Sequence, residues 1–283
     1  MSTLALDLLE PFRFAFFRQG LVVAVLAGAV CGLVGVFVVL RSMSYIGHGL
    51  SHSIFGGAAA SAVVGVNFYL GAGLWGLLSA LMIGRVARRV RIGSDAAIGV
   101  ITTASFALGL ALSNAFGQAQ RSIDAVLFGS ILGVGWGDVI AVAAVGLFSV
   151  AVVAAGYRRL LFATFDPEVA DVSGVPVARV EALLMLMLAA TILFTMKVVG
   201  VLLISALLVT PAVTARMLTN SFARMLRLSP LIGALCGGGG MWASYHLDIS
   251  PGAAIILLTS LVFVAVYAAA GQSSRRSVAG HVH

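Results

Sequence analysis

Nine long apolar runs follow one another along this 283-residue chain, and only short polar segments separate them. They span residues 20–40, 50–67, 69–84, 96–114, 138–156, 179–199, 200–218, 229–247 and 252–270. A helix needs about 20 apolar residues to cross the hydrocarbon core of a bilayer. Since 61% of the residues are hydrophobic and only 10% are charged, a water-soluble fold of this length could not bury the apolar surface. The sequence therefore predicts an all-α polytopic membrane protein, a bundle of eight or nine transmembrane helices with short loops and no large soluble domain.

The local sequence of some runs predicts where helices break and where they pack closely. The runs 179–199 and 200–218 are nearly continuous, which favours a broken or re-entrant helix at their junction. Pro211 favours a kink, because proline cannot donate a backbone hydrogen bond. The four consecutive glycines at 237–240 permit close approach of a neighbouring helix.

The basic residues predict the orientation, because Lys and Arg concentrate in the cytoplasmic loops of membrane proteins. If the N-terminus is outside and nine runs alternate, thirteen of the 17 basic residues lie inside. We therefore expect residues 1–19 to be extracytoplasmic or interfacial, 20–270 to form the transmembrane domain, and 271–283, with His281 and His283, to form a cytoplasmic tail. The net charge of +7 then reflects topology and gives no reason to expect nucleic acid as a partner. The inside set is Arg41, Arg85, Arg88, Arg89, Arg91, Arg158, Arg159, Arg179, Arg216, Arg224, Arg227, Arg275 and Arg276.

Two inside segments are longer and less hydrophobic than the other connections. The first is a loop over 157–176, after which Glu181 is expected to pair with Arg179 or with a partner protein. The second, 215–228, is predicted to be a short basic amphipathic helix that lies on the membrane surface or docks on a partner. Its contact residues would be Ala215, Arg216, Met217, Leu218, Phe222, Arg224 and Arg227.

Two histidines four residues apart form the strongest candidate site. On a helix, His48 and His52 share one face, and neutral imidazoles bind late first-row divalent metals, zinc in particular. The alternative is a histidine pair that is hydrogen-bonded inside a helix bundle. Gly47 and Gly49 would allow close backbone approach or break the helix. A broken backbone over 41–51 could dip back into the membrane and place both histidines at mid-depth.

A weaker candidate lies at the predicted outer end of the eighth run. His246 and Asp248 flank this end and could meet incoming cations, although a solvated loop explains them better.

The sequence also excludes some functions. Lys197 is the only lysine and follows no glycine-rich loop, so the chain has no G-x-x-x-x-G-K-[ST] motif and is not its own P-loop ATPase. An intramembrane metalloenzyme is disfavoured, because there is no H-E-x-x-H motif. A stand-alone secondary metal-ion transporter or channel remains an alternative function. Such a protein would need acidic residues inside its membrane spans, and this chain has almost none there.

Several stretches, taken in order, resemble the permeases of zinc, manganese and iron ABC importers, and together they cover nearly the whole chain. They are GVFVVLRSMS at 35–44 followed by GHGLSHSIFGG at 47–57, GSDAAIGV at 93–100, LFGSIL at 127–132, FDPEVADVSGV at 165–175, VVGVLLISALLVTPAVTARML at 198–218 and SYHLDISPGAAIILL at 244–258.

This resemblance implies a bundle similar to that of type II ABC importers in the bacterial cytoplasmic membrane. It implies paired transmembrane subunits, here expected as a homodimer, with a cytoplasmic ABC ATPase subunit and an extracytoplasmic metal-binding protein. The chain would move its ion by alternating access, hold no permanent cofactor, and leave ATP hydrolysis to the partner. The ATPase would dock on a coupling region at about 215–228, and Asp166, Glu168 and Asp171 would form a neighbouring cytoplasmic contact.

The chain departs from the family pattern at one position. The family usually reads Gly-Asp-x-Leu-Ser-His, whose Asp and His are associated with metal passage or gating. Here His48 takes the place of the aspartate, while His52 is retained. A nitrogen in place of a hard oxygen ligand favours zinc over manganese. We therefore expect a transient His48/His52 site and Zn²⁺ as the transported ion, with Mn²⁺ or Fe²⁺ as alternatives.

Overall fold

The computed structural model describes residues 10–89, 94–116, 129–130, 133–201 and 203–279. These residues form a short 3-10 helix, Glu10–Arg13, and ten α-helices. The helices are α1 (Ala15–Leu40), α2 (Ser44–Val64), α3 (Phe68–Arg89), α4 (Ser94–Phe116), α5 (Trp136–Phe165), α6 (Pro167–Val172), α7 (Val177–Val199), α8 (Ile204–Leu218), α9 (Phe222–Leu247) and α10 (Pro251–Ala279). Each of the nine predicted apolar runs overlaps one long helix, and α6 is additional.

Among the described helices, five are long and apolar enough to cross a membrane, namely α1, α3, α5, α7 and α10. Helices α4 and α8 contain shorter apolar stretches, Ile98–Leu112 and Ile204–Leu218. Helices α2 and α9 are not in this set of five, and both contain many Gly and Ser residues. Small residues of this kind let the backbones of membrane helices approach one another. The all-α polytopic fold predicted from the sequence is confirmed.

Helix α1 lies at the centre of the bundle and packs against α9, α8, α5 and α7. All of its residues from 30 to 38 are buried. A Cβ atom on Gly28 would overlap the backbone carbonyl of Gly233 in α9, so only glycine fits here. Nearby, the Ser229 hydroxyl donates a 2.6 Å hydrogen bond to the carbonyl oxygen of Gly32. Helices α1 and α9 are therefore joined by backbone contact rather than by large side chains.

The glycine run 237–240 of α9 packs between α1 and α10. A Cβ atom on Gly237 would overlap the carbonyl of Ala24, and one on Gly240 would overlap the backbone of Ile255. The predicted close helix approach at this run is confirmed.

Helices α2, α3 and α4 pack on one another as a second group, which meets the rest of the bundle mainly through α7 and α8. Gly56 of α2 lies against the backbone of Ser105 in α4, and Gly57 lies against Trp75 in α3. This packing places one face of α2 against its neighbours and leaves Ser44, Tyr45 and His48 at the surface of the chain.

The predicted break between the sixth and seventh runs lies at Gly200. Helix α7 ends at Val199, Gly200 has a φ of 87°, and α8 begins at Ile204. A positive φ favours glycine, which has no Cβ to clash with the backbone. Pro211 lies inside α8, whose 15 residues span about 22 Å, less than the hydrocarbon core.

Candidate functional site

The side chains of His48 and His52 meet on one face of α2. Their Nε2 atoms lie 3.1 Å apart, and their ring centroids are 4.4 Å apart with the planes at 82°. In a tetrahedral zinc site with Zn–N distances of about 2.0–2.1 Å, two nitrogen ligands lie about 3.3 Å from each other. One divalent cation could therefore bind both Nε2 atoms after only a small movement of the rings.

The two imidazoles differ in their surroundings. His48 is exposed on the surface of this chain, next to the exposed ring of Tyr45, whose centroid lies 6.3 Å away. His52 is half-buried, and its ring packs edge-on against Phe106 of α4 at a centroid distance of 4.6 Å. Phe106 thus supports the inner ring of the pair, while the outer ring stays accessible from outside the chain.

The glycines beside the histidines serve in helix packing. A Cβ atom on Gly49 would overlap Ile98 and Thr102 of α4, and one on Gly47 would press on Leu208 of α8. The backbone is continuous helix from Ser44, so the prediction of a glycine-broken backbone in this stretch is wrong. The break lies earlier in the chain, in the turn after α1, where Ser42 has a φ of 53°.

The histidine pair lies within the length of α2 rather than at its end. The 21 residues of this helix span about 31 Å at 1.5 Å per residue. By the same rise, His48 lies about 6 Å and His52 about 12 Å along the axis from Ser44. Among the residues that the structure describes, no group of three or more His, Cys, Asp and Glu side chains could hold a metal ion. A bound ion would therefore have two protein ligands from this site and would leave its other positions open.

The predicted amphipathic helix over 215–228 does not form as one element, and this prediction is wrong. Helix α8 ends at Leu218, Thr219 is extended, and α9 begins at Phe222. The Thr219 hydroxyl accepts a 3.1 Å hydrogen bond from the backbone N–H of Ser221, which stabilises a turn between the two helices.

The predicted coupling residues consequently divide into two sets. Ala215 and Phe222 are buried within this chain and cannot meet a partner directly. Met217 is half-buried. The accessible members are Arg216, Leu218, Arg224 and Arg227.

The predicted loop 157–176 is largely helical, because α5 continues to Phe165 and is followed by α6. Asp166 caps α6, since its Oδ1 atom accepts a 3.0 Å hydrogen bond from the N–H of Val169. Asp166, Glu168 and Asp171 are all exposed. Val172, at the end of α6, is 92% exposed. The segment therefore presents carboxylates and an apolar side chain together on its surface.

The remaining predicted site residues are not brought together with the histidine pair. His246 lies in the last turn of α9 with its ring 4.4 Å from that of Trp242, and Asp248 ends the helix with a φ of 53°. Both are exposed. His281 and His283 lie outside the described residues.

Two polar pairs were not predicted from the sequence. Arg41 forms an ion pair with Glu181 at 2.9 Å, a contact between residues that are far apart in the sequence. The Tyr69 hydroxyl donates a 2.8 Å hydrogen bond to Asp138. Arg41 follows the end of the first apolar run and Glu181 lies near the start of the sixth, and the charge pattern predicts both positions on the same side of the membrane. That shared side is the signal that could have suggested their pairing.

Comparison with known proteins agrees with this architecture. The model of the ABC 3 transport family matches residues 13–270. The manganese transport system membrane protein MntC of Halalkalibacterium halodurans is 34% identical over 267 residues, which are 94% of this chain and 91% of that protein. A protein of Haemophilus influenzae named as a probable iron transport system membrane protein is 33% identical over 257 residues, 91% of this chain and 94% of its own length.

A solved structure has the same fold. It is PsaBC from Streptococcus pneumoniae in complex with Fab, with a TM-score of 0.83 and 33% sequence identity over 94% of this chain and 95% of the matched chain. The resemblance to metal ABC importer permeases that was drawn from the sequence stretches is confirmed.

Proposed function

Because the chain belongs to the ABC 3 transport family, it is a membrane permease subunit and not an enzyme, and we propose that it imports a divalent transition metal ion. The observation that carries the proposal is the pair of Nε2 atoms 3.1 Å apart on α2. Imidazole nitrogens at this separation can share one divalent ion.

The ion that we propose is Zn²⁺. Two nitrogen ligands suit zinc better than manganese, which prefers carboxylate and water oxygens. The curated relatives are named for manganese and iron, so zinc transport would distinguish this chain from them. The family pattern that the sequence resembles usually has an aspartate at the position of His48. Mn²⁺ and Fe²⁺ are the competing ions in any test.

The exposure of His48 supports a site that is completed by a second copy of the chain. A ligand at the surface of one subunit can face the equivalent ligand of another across a two-fold axis. We propose that the permease is a homodimer, and that alternating access opens the histidine site first to one side of the membrane and then to the other.

Two surfaces at one end of the bundle are proposed to contact a cytoplasmic ATPase subunit. The first carries Arg216, Leu218, Arg224 and Arg227, and it would fit an acidic surface with an apolar pocket. The second is α6, where Val172 would enter a pocket and Asp166, Glu168 and Asp171 would meet basic residues. This places the helix ends that carry both surfaces in the cytoplasm.

The same orientation places the C-terminus in the cytoplasm and His246 and Asp248 on the outer side, where an extracytoplasmic metal-binding protein would deliver the ion. Residues 20–270 then form the permease domain, in a bacterial cytoplasmic membrane.

The test is metal uptake into vesicles that contain the permease and its ATPase, measured separately with Zn²⁺, Mn²⁺ and Fe²⁺. Wild type should take up Zn²⁺ at least fivefold faster than Mn²⁺, and H48D should move this preference towards Mn²⁺. H52A should reduce uptake of every ion at least tenfold. Y45F is the matched control, because it changes a neighbour on the same face that carries no metal ligand. Equal uptake by wild type and H52A would contradict the histidine site, and faster Mn²⁺ uptake by wild type would contradict zinc preference.

A further inference from the structure

A single guanidinium joins three parts of the bundle at the end of α1. The Nη2 atom of Arg41 lies 2.9 Å from Oε1 of Glu181 in α7 and donates a 3.4 Å hydrogen bond to the carbonyl oxygen of Ala163 in α5. The two charged side chains are 9% and 27% exposed. The contact therefore links the turn between α1 and α2 to the end of α5 and to the second turn of α7.

These contacts bracket the exposed segment 166–176. Ala163 lies three residues before this segment, and Glu181 lies five residues after it. Arg41 thus contacts residues that flank the α6 segment on both sides. Arg41 lies in the turn that precedes α2, and His48 follows seven residues after it in the chain. Arg41 and Glu181 therefore form a polar connection between the α6 segment and the start of the helix that carries the histidines.

The structure leaves space beside this pair. A cavity of about 180 Å³ is lined by Arg41 and Glu181 together with Ile46 of α2, Ile83 of α3 and Met185 of α7. The Nη1 atom of Arg41 is buried and has no hydrogen-bond partner. This unfilled space gives α2 and its neighbours room to shift relative to α7.

A partly buried ion pair is a weak source of net stability, because the desolvation of the charges offsets their attraction. It nevertheless fixes the distance and direction between two elements, since a displaced charge would be left uncompensated. An apolar pair would fill the same space without this constraint.

We propose that Arg41 and Glu181 are a positioning pair that transmits movement of the α6 segment to α2 and so couples ATP hydrolysis to opening of the histidine site. This inference rests on the proposed function, since it requires that an ATPase acts on α6 and that an ion passes His48 and His52. When the partner displaces α6, the ends of α5 and α7 move with it, and Arg41 carries that displacement to the start of α2.

The test compares ATP hydrolysis and Zn²⁺ uptake in the full complex in vesicles. E181Q and R41Q remove one charge each, and the double variant R41M/E181L replaces the pair by apolar side chains that can fill the site. R179Q is the matched control, because Arg179 is exposed and lies two residues before Glu181. All variants are first checked for assembly with the ATPase.

The expected result is that R41M/E181L assembles and hydrolyses ATP within about twofold of wild type, while Zn²⁺ uptake per ATP falls at least fivefold. E181Q and R41Q should show the same loss, and R179Q should not. A normal ratio in R41M/E181L would overturn the inference, as would a parallel fall of hydrolysis and uptake that leaves the ratio unchanged. If the wild-type complex itself takes up no metal, the proposed function fails, which is a different outcome from a normal ratio in the variants.

Discussion

The hydroxyl of Tyr69 donates a 2.8 Å hydrogen bond to Oδ1 of Asp138 and so ties the start of α3 to the start of α5. The other carboxylate oxygen of Asp138 accepts the backbone N–H of Gly135 at 3.0 Å, and the Tyr69 ring stacks on Phe194 of α7. Arg41 makes the corresponding contact at the opposite end of α5, through Ala163. Helices α5 and α7 are therefore held at both ends by polar or aromatic contacts to residues from the first half of the chain.

We expect Y69F to lower the free energy of unfolding by about 1 kcal/mol, because it removes one partly buried hydrogen bond to a carboxylate and keeps the stacked ring. For a chain of this size, the melting temperature should fall by about 2–4 °C. Thermal unfolding of the purified chain in detergent measures this shift. Y267F changes an exposed tyrosine of α10 and should leave the melting temperature unchanged. A Y69F melting temperature equal to wild type would show that the hydrogen bond contributes no stability.

Alanine substitution should change the stability in opposite directions at two helical glycines, Gly28 and Gly99. A Cβ atom on Gly28 would overlap the carbonyl of Gly233, so G28A must push α1 and α9 apart. We expect it to lower the free energy of unfolding by about 1–3 kcal/mol. At Gly99 in α4 a Cβ atom would meet nothing within 4 Å, and G99A should raise stability by about 0.5–1 kcal/mol, since alanine favours helix. The midpoints of denaturant unfolding for the two variants test both signs, and a shift of both in one direction would contradict the packing.

Hydrophobic runs were sufficient to predict the nine long helices, because the bilayer requires an apolar surface of fixed length. They were not sufficient to predict where helices end in water. Arg158 and Arg159 mark the end of the fifth apolar run, yet α5 continues to Phe165, since charged residues limit the membrane span but do not stop a helix. The opposite error occurs at residues 216–227. The basic residues there suggest one amphipathic helix, but the Thr219–Ser221 turn divides them between two helices.

The candidate site was predicted in part. Spacing alone placed His48 and His52 on one face, because the helical period brings residues four apart together. The role of Gly49 could not be read in the same way, since a glycine that breaks a helix and one that lets another helix approach look identical in one sequence. The Arg41–Glu181 contact joins residues 140 positions apart, and its formation depends on how the whole bundle packs.

The exposed apolar residue of α6 offers a direct test of partner docking. Val172 is 92% exposed, so V172E should leave the melting temperature of the permease unchanged. If α6 docks on the ATPase, a buried glutamate would be costly at that contact, and the amount of ATPase that copurifies should fall at least fivefold. V66E, in the turn between α2 and α3, is the matched control at the opposite end of the helices. Undiminished copurification with V172E would remove α6 from the docking surface.

The two ends of α9 provide a test of orientation. This helix runs from Phe222 to Leu247 and is about 39 Å long, which is enough to place its ends on opposite sides of a bilayer. Ser221 and Leu247 are both exposed, while the two native cysteines, Cys31 and Cys236, are buried and give a low labelling background. With a membrane-impermeant thiol reagent, L247C should be labelled in intact cells, and S221C should be labelled only in inverted vesicles. The reverse pattern would place the basic surface around Arg224 outside the cell, where no ATPase could bind it, and the proposed coupling would fail.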